Sequence, residues 1–262
     1  MNELYTKYKA QEVFRKDQVV KDFPHLNRNA LDKKIEQAKR VSKVIKSVGG
    51  RRGIYFIVEP GQDYKKAAAD MAKVAAHIAP GAIICYASAL SLLGKSHSIH
   101  NIMYVSSKKR FRELRYQGIL YRHVIIPHRT FMIEELSYRG TILKVTSLER
   151  TLIDCLNNLK YAGGFEQLYR SFEGVPYLNS KKIEECLRRF SSPLLNSRAG
   201  LFIEFFKKQW GINEQVFARL QKKTPSSPDY FLERHNKGGK LVRRWNLIVP
   251  QDVLTMGGVD VG

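Results

Sequence analysis

The side chains best suited to binding chemistry fall into two groups within the first 52 residues. Arginine can pair with the edge of guanine, asparagine and glutamine can pair with adenine, and lysine and arginine hold phosphates. The first group is Arg28, Asn29, Lys33, Lys34, Gln37 and Arg40, and the second is the pair Arg51 and Arg52 in a glycine-rich stretch. These residue types indicate contact with a nucleic acid.

Short helices and a hairpin are predicted to position both groups. Val19, Val20 and Phe23 would form the apolar face of a first helix, which a proline ends because it disfavours helix at the residue before it. Strand-like runs at 42–48 and 54–58 flank the glycine-rich tip that carries the two arginines. Two short strands around such a tip predict a β-hairpin.

A second helix is predicted to carry the first group. Asn27 or Asn29 would cap it by accepting hydrogen bonds from the free N–H groups of its first turn. Leu31, Ile35 and Ala38 recur at i, i+4 and i+7, which gives one buried stripe. The polar side chains of the first group then occupy the other faces of the helix.

Together these elements predict a winged helix-turn-helix domain over residues 1–61. A helix of this size fits the major groove of duplex DNA, where the side chains of its amino-terminal end meet base edges. Arginines at the tip of a wing are suited to phosphate contact or insertion into the minor groove. Two alternatives stay open, which are a small helical subdomain with a solvated basic face and a winged helix that contacts only proteins.

The charge of the whole chain favours a polyanionic partner. Lysine and arginine number 45 against 24 acidic residues, so the formal net charge is +21. In one stretch a single acid, Glu113, stands among seven cations: Lys108, Lys109, Arg110, Arg112, Arg115, Arg122 and Arg129. Distributed positive charge raises affinity for nucleic acid and makes it depend steeply on salt. It would also attract an acidic protein, or serve solvation alone.

Residues 62–262 are predicted to form a second, α+β domain with a helix-rich carboxyl-terminal part. A long helix is expected at 63–79, and one late strand is expected at 242–249. Thr146 and Glu149 have the spacing of a capping box, with threonine at the start of a helix. Helices and strands that are first intermixed and then mostly helical indicate an α+β fold.

The sequence contains no recognisable catalytic motif. A phosphate-binding loop, a nucleophile elbow and a zinc-protease motif are all missing from it, so we expect no enzyme and no cofactor. His97 and His100 lack nearby acidic or cysteine ligands, so we expect no metal site. A nuclease that uses Glu149 and Asp154 is kept as an alternative, although their spacing does not place them on one face of a helix.

The cysteines and the amino terminus predict a cytoplasmic location without membrane contact. Cys85, Cys155 and Cys186 are odd in number and lie far apart in apolar contexts, which implies neither a disulfide framework nor a zinc site. The first residues lack the apolar region of a signal peptide, and no apolar run is long enough to span a membrane.

The order of several motifs resembles the AbiEi-type antitoxins of bacterial abortive-infection and type IV toxin–antitoxin systems. The strongest is YRGTILKVTSLERTLIDCL at 138–156, which contains Ser147, Arg150, Thr151 and Asp154. Further pieces are RRGIYFI at 51–57, ICYASALSLLG at 84–94, Gly-Gly at 163–164, SRAGLFIEFF at 197–206 and RRWNLIVP at 243–250. Together these pieces extend over most of the chain.

The resemblance implies a transcriptional repressor that is also an antitoxin in phage defence. The winged helix would bind inverted repeats of double-stranded operator DNA, with a homo-oligomer on the DNA as a further expectation. The rest of the chain would counteract a nucleotidyltransferase-like toxin, and a stable complex with that toxin is left open. Ser147, Arg150, Thr151 and Asp154 are interpreted first as architecture, with an Arg–Asp pair at i, i+4. A winged-helix regulator unrelated to a toxin is the alternative.

Overall fold

The computed structural model describes residues 2–50, 53–232 and 239–258. The fold is α+β, as predicted, and the chain divides into two compact units. The first unit comprises Met1–Ser88, His100–Ile125 and Ile133–Val145, and the second comprises Ala89–Ile99, Ile126–Met132 and Thr146–Gly262. A domain boundary at residue 61 stays a prediction.

The first unit begins with three helices and a small antiparallel sheet. In chain order these elements are α1 (Glu3–Tyr8), β1 (Val13–Arg15), α2 (Lys16–Asp22), α3 (Arg28–Arg40), β2 (Ile45–Ser47) and β3 (Ile54–Ile57). The strands pair in the order β1-β3-β2, with Phe56 of β3 opposite both Val13 and Lys46. The predicted hairpin is therefore present, with shorter strands. Helix α1 and strand β1 are too short to show a period in the sequence.

One apolar core supports these elements. Its buried members are Leu4, Tyr8, Phe14, Val19, Phe23, Leu31, Ile35, Ala38, Ile45, Tyr55 and Ile57. The rings of Tyr8 and Phe14 stack at 4.1 Å between centroids. The stripe predicted on α3 is confirmed, but Val20 is half exposed. Adjacent positions of a helix point about 100° apart, so Val19 of α2 faces the core while Val20 faces the solvent.

The remainder of the first unit is built around a six-stranded mixed sheet. In chain order the elements of this part are α4 (Met71–His77), β4 (Ile83–Ile84), α5 (Tyr86–Leu92), β5 (Ile102–Ser106), β6 (Leu114–Tyr116), β7 (Ile119–His123), β8 (Ile133–Tyr138) and β9 (Thr141–Thr146). The division into units falls within α5, after Ser88, and before the last residue of β9. The strand order is β6-β7-β5-β4-β9-β8, in which β5 is parallel to β7 and β4 is parallel to β9. Residue pairs with positive φ, Gln117-Gly118 and Arg139-Gly140, form the two-residue turns before β7 and β9.

The long helix predicted at 63–79 is wrong in its first half. Only Met71–His77 is helical, and Asp70 caps this helix by accepting hydrogen bonds from the N–H groups of Ala72 and Lys73. The preceding carbonyls are engaged elsewhere, because the Lys46 ammonium donates to the carbonyl oxygens of residues 64, 65 and 67 at 2.9 to 3.2 Å. This contact between distant residues overrides the local helix propensity.

The second unit is mainly helical, as predicted for the carboxyl-terminal part. Its elements are α6 (Leu148–Asn157), α7 (Phe165–Glu173), α8 (Ser180–Phe190), α9 (Pro193–Phe205), α10 (Lys207–Trp210), α11 (Glu214–Gln221), β10 (Asp229–Tyr230), β11 (Lys240–Val242), β12 (Leu247–Val249) and α12 (Gln251–Met256). The strands pair as β10-β12-β11. The single strand expected at 242–249 is two strands, because a 3-10 turn at Arg243–Trp245 buries Trp245 between them.

The sequence raised two questions, whether a helix crosses a membrane and whether the cysteines form disulfide bonds. No helix among the described residues has the length and apolar composition that a membrane crossing needs. The three cysteines are buried and free. Burial raises the pKa of the Cys186 thiol to about 12, so this side chain packs as an apolar group.

Candidate nucleic-acid interface

Helix α3 holds the first group of predicted side chains, and its start is fixed by Asn27. The Ala30 N–H donates to the side-chain oxygen of Asn27 at 2.9 Å, so Asn27 rather than Asn29 is the cap. Arg28 and Asn29 therefore lie in the first turn of the helix, and both are exposed. This is the end at which a groove-bound helix presents its side chains to bases.

A polar strip runs along the outer side of α3. Asn29, Lys33, Gln37 and Arg40 are spaced at i, i+4, i+8 and i+11, which places them on one face, and all four are exposed. The strip lies opposite the buried stripe that faces the core. A rigid helix thus presents amide and cationic groups in line toward the solvent.

The cations of α3 differ in their partners within the protein. The Lys34 ammonium lies 2.6 Å from the Glu3 carboxylate and 5.2 Å from the centre of the Phe23 ring. The Arg40 guanidinium lies 3.0 Å from Glu36, on the same helix. In the described part of the chain, Arg28 and Lys33 form no ion pair. These two therefore have the charge that is most available to an external anion.

The acidic partner of Lys34 has a changed pKa. The hydrogen bond from Lys34, supported by its charge, lowers the pKa of Glu3, so the carboxylate is ionised over the physiological range. Lys34 is thus held toward its own protein, although the sequence placed it in the same DNA-binding set as Lys33. Its contact with DNA stays a prediction.

The β2–β3 hairpin has glycines on both sides of its predicted tip. Arg51 and Arg52, the predicted tip residues, lie outside the described residues. Gly49, Gly50 and Gly53 have φ values of 54°, 70° and 92°, which is the left-handed region that glycine adopts without strain. The glycines allow the chain to reverse direction within a short loop.

The first turn of this hairpin loop lies against the edge strand β6. A Cβ atom added to Gly49 would lie 3.1 Å from Leu114 Cδ1 and 3.5 Å from Tyr116 Cδ2. The Tyr116 hydroxyl in turn accepts a hydrogen bond from the Ala69 N–H at 2.9 Å. Nothing local in the sequence signals this contact, because the two segments are separated by more than 60 residues. The six-stranded sheet therefore supports the hairpin.

The motif that carries the family resemblance has a structural role at the start of α6. The Arg150 N–H donates to the Ser147 hydroxyl at 3.3 Å, so Ser147 caps the helix. The capping box predicted with Thr146 is wrong by one position. The hydroxyl of Thr151 lies 2.6 Å from the hydroxyl of Thr146. This hydrogen bond joins the last residue of β9 to α6.

Arg150 and Asp154 form a fully buried pair within the second unit. The guanidinium Nε lies 2.9 Å from the Asp154 carboxylate. The same guanidinium donates to the carbonyls of Pro127, His128 and Phe131. Burial raises the pKa of the Asp154 carboxyl to about 6, against the opposing effect of Arg150. The pair therefore ties residues 127–131 to α6, which agrees with an architectural role.

Glu149, the other acid of the nuclease alternative, is engaged in packing. It is nearly buried, and one carboxylate oxygen accepts a hydrogen bond from the Asn179 N–H at 3.2 Å. Across residues 2–50, 53–232 and 239–258, no three histidine, cysteine or acidic side chains are grouped to hold a metal ion.

Comparison with known proteins shows a likeness to a solved structure. No family model matches the sequence, and no curated protein matches it. Among solved structures, the chain is similar to the one described as the crystal structure of RV2827C protein from Mycobacterium tuberculosis, with a TM-score of 0.60. The likeness covers 95% of this chain and 90% of that chain at 15% sequence identity. At this identity the likeness concerns the fold, and it extends over almost the whole chain.

Proposed function

We propose that this chain is a DNA-binding repressor whose amino-terminal segment is a winged helix-turn-helix. The observation that carries the proposal is the arrangement of α2, α3 and the β2–β3 hairpin on one apolar core, with α3 exposing Asn29, Lys33, Gln37 and Arg40 in a line. The order of helices and strands supports this proposal, with β1 as the third strand of the small sheet. An exposed helix of this kind can enter the major groove.

The residue types along α3 and at the hairpin suit different contacts with DNA. Arg28 and Asn29 lie at the amino-terminal end of α3, where arginine can pair with guanine and asparagine with adenine. Lys33 lies one turn further along and suits a phosphate. Arg51 and Arg52 would contact phosphates or the minor groove from the hairpin tip. A helix that reads bases beside a wing that holds the backbone would give sequence-specific binding.

The biological setting comes from the resemblance to the AbiEi-type antitoxins. We propose that the chain binds inverted repeats upstream of its own gene, represses that operon and counteracts a nucleotidyltransferase-like toxin. The activity proposed here is binding without catalysis, and it takes place in the cytoplasm. The motif residues of the resemblance then have a structural role and stabilise the second unit: Ser147, Arg150, Thr151 and Asp154.

Two assays together test this proposal. The first measures binding of the purified chain to its own upstream DNA and compares the parent with an Asn29→Ala, Lys33→Ala double variant, which should lose the preference for that DNA while remaining folded. The second co-expresses the chain with the product of the neighbouring gene and measures growth. Rescue of growth is expected. Specific DNA binding without rescue would instead support a winged-helix regulator unrelated to a toxin.

A further inference from the structure

The connector between β5 and β6, with the edge strand itself, forms a second basic surface on the first unit. We call residues 108–115 the basic edge. Five of these eight residues are cationic and all five are exposed: Lys108, Lys109, Arg110, Arg112 and Arg115. The one acid in the segment, Glu113, lies 2.6 Å from Arg122 of β7. Among the described residues, Lys108, Lys109, Arg110 and Arg115 form no ion pair. The charge of these four side chains is therefore not neutralised by an acidic group in the part of the chain that the structure describes.

The basic edge is held in a defined conformation. Phe111 is buried in its middle and meets the His123 ring edge-on at 5.3 Å between centroids. The Ser107 hydroxyl donates to the carbonyl oxygen of Lys109 at 2.7 Å, which fixes the turn before it. Arg115 is paired in register with Leu120 of β7. A preorganised segment loses less conformational entropy on binding than a free loop.

The basic edge adjoins the hairpin of the proposed DNA-binding segment. Gly49 of the hairpin loop lies against Leu114, which belongs to the basic edge. Leu114 lies six positions after Lys108, and at the length of an extended chain this is at most about 20 Å. Duplex DNA carries one negative charge per about 1.7 Å of its axis, so a duplex that reaches the hairpin offers many phosphates within that distance.

We propose that the basic edge binds the phosphate backbone of duplex DNA beside the site contacted by α3 and the hairpin. This inference rests on the proposed function and extends its footprint. The cations of the basic edge lie on a connector and an edge strand, outside the helix that is proposed to enter the major groove, which suits contact with the phosphate backbone. The basic edge therefore adds affinity and salt dependence, and it adds no sequence preference.

The test uses the full chain with three charges removed and a matched control. The test variant is Lys108→Ala, Lys109→Ala, Arg110→Ala. The control variant removes the same charge from exposed lysines of the second unit: Lys208→Ala, Lys222→Ala, Lys223→Ala. Each protein is titrated with two duplexes of its upstream DNA over a range of salt. One duplex is trimmed to the shortest length that still binds specifically, and the other extends it by one helical turn, about 10 base pairs, at each end.

The parent should bind the longer duplex more tightly and with a steeper dependence on salt. The test variant should lose this gain, with a slope of log K against log salt that is shallower by about 2 to 3 on the longer duplex, since each lost phosphate contact removes about 0.9. On the trimmed duplex the test variant should match the control variant.

Two results would overturn the inference. In the first, the test and control variants have equal slopes of log K against log salt on the longer duplex while the parent binds specifically. This result overturns the role of the basic edge and leaves the proposed function standing. A parent that does not prefer its upstream DNA to scrambled DNA overturns both proposals. Thermal unfolding of the two variants, expected to match the parent because the changed side chains are exposed, checks that each is folded.

Discussion

Replacing Lys33 and Lys34 one at a time by alanine separates two neighbouring lysines that look equivalent in the sequence. Lys33 is exposed on the outer strip of α3, and no acidic side chain of the described chain pairs with it. Lys34 is half-buried, and its ammonium is shared between Glu3 at 2.6 Å and the face of Phe23 at 5.2 Å. The two changes should therefore act on different properties, DNA affinity for Lys33 and stability for Lys34.

The expected size of each effect follows from these contacts. Loss of a lysine that holds a phosphate should weaken binding by about 1 to 2 kcal/mol, which is about 5- to 30-fold, and make the salt slope shallower by about 1. Loss of Lys34 removes a cation–π contact worth about 0.5 to 1 kcal/mol and the packing of its stem. A destabilisation of about 1 kcal/mol lowers the melting temperature of a chain of this size by about 2 to 4 °C.

Two assays read these effects separately. Fluorescence anisotropy with labelled upstream DNA over a range of salt gives affinity and slope, and calorimetry gives the melting temperature. We expect Lys33→Ala to change affinity and slope at an unchanged melting temperature, and Lys34→Ala to lower the melting temperature at nearly unchanged affinity. If Lys34→Ala lost as much affinity and slope as Lys33→Ala at an unchanged melting temperature, the assignment of the outer strip as the DNA-facing surface would be refuted.

Further predictions concern the second unit. Gly200→Ala would place a Cβ atom 2.1 Å from the fully buried ring of Trp245, and we expect a loss of about 1 to 3 kcal/mol in the free energy of unfolding. Gly174→Ala, where nothing lies within 4 Å, is its control, and an equal loss there would contradict the steric argument. Because the folded-state pKa of Asp154 is raised from 3.8 to about 6, its contribution to stability is present below about pH 4 and is lost as the pH rises through about 6. The stability of the parent relative to Asp154→Asn should therefore fall as the pH rises from about 4 to about 7, and a difference that is independent of pH, measured by chemical unfolding, would contradict the raised pKa.

Periodic patterns in the sequence predicted the element that matters most for the proposed site. The spacing of Leu31, Ile35 and Ala38 gave the buried side of α3, and this side determined which residues face outward. The hairpin after α3 was also predictable, because glycines separate two apolar runs. The partners of individual cations were not predictable, since Glu3 precedes Lys34 by 31 residues and is brought to it only by the packing of α1.

The errors have physical causes that are not local. The first half of the helix predicted at 63–79 is absent, because Lys46 occupies its carbonyl groups from a distant strand. The cap of α6 is Ser147 instead of Thr146, since both hydroxyl residues suit a cap and the packing of β9 decides where the helix begins. The contact of Gly49 with β6 requires the folded sheet and has no counterpart in the sequence pattern.

We propose above that this chain binds a specific DNA site through α3 and its hairpin. The most direct test is a gel-shift titration of the purified chain with its own upstream DNA, with scrambled DNA as competitor, at low and near-physiological salt. We expect discrete shifted complexes that resist the competitor at both salt concentrations. A smear that scrambled DNA removes equally well, and that disappears at the higher salt concentration, would mean that the net charge of +21 binds DNA without a specific site and would contradict the claim.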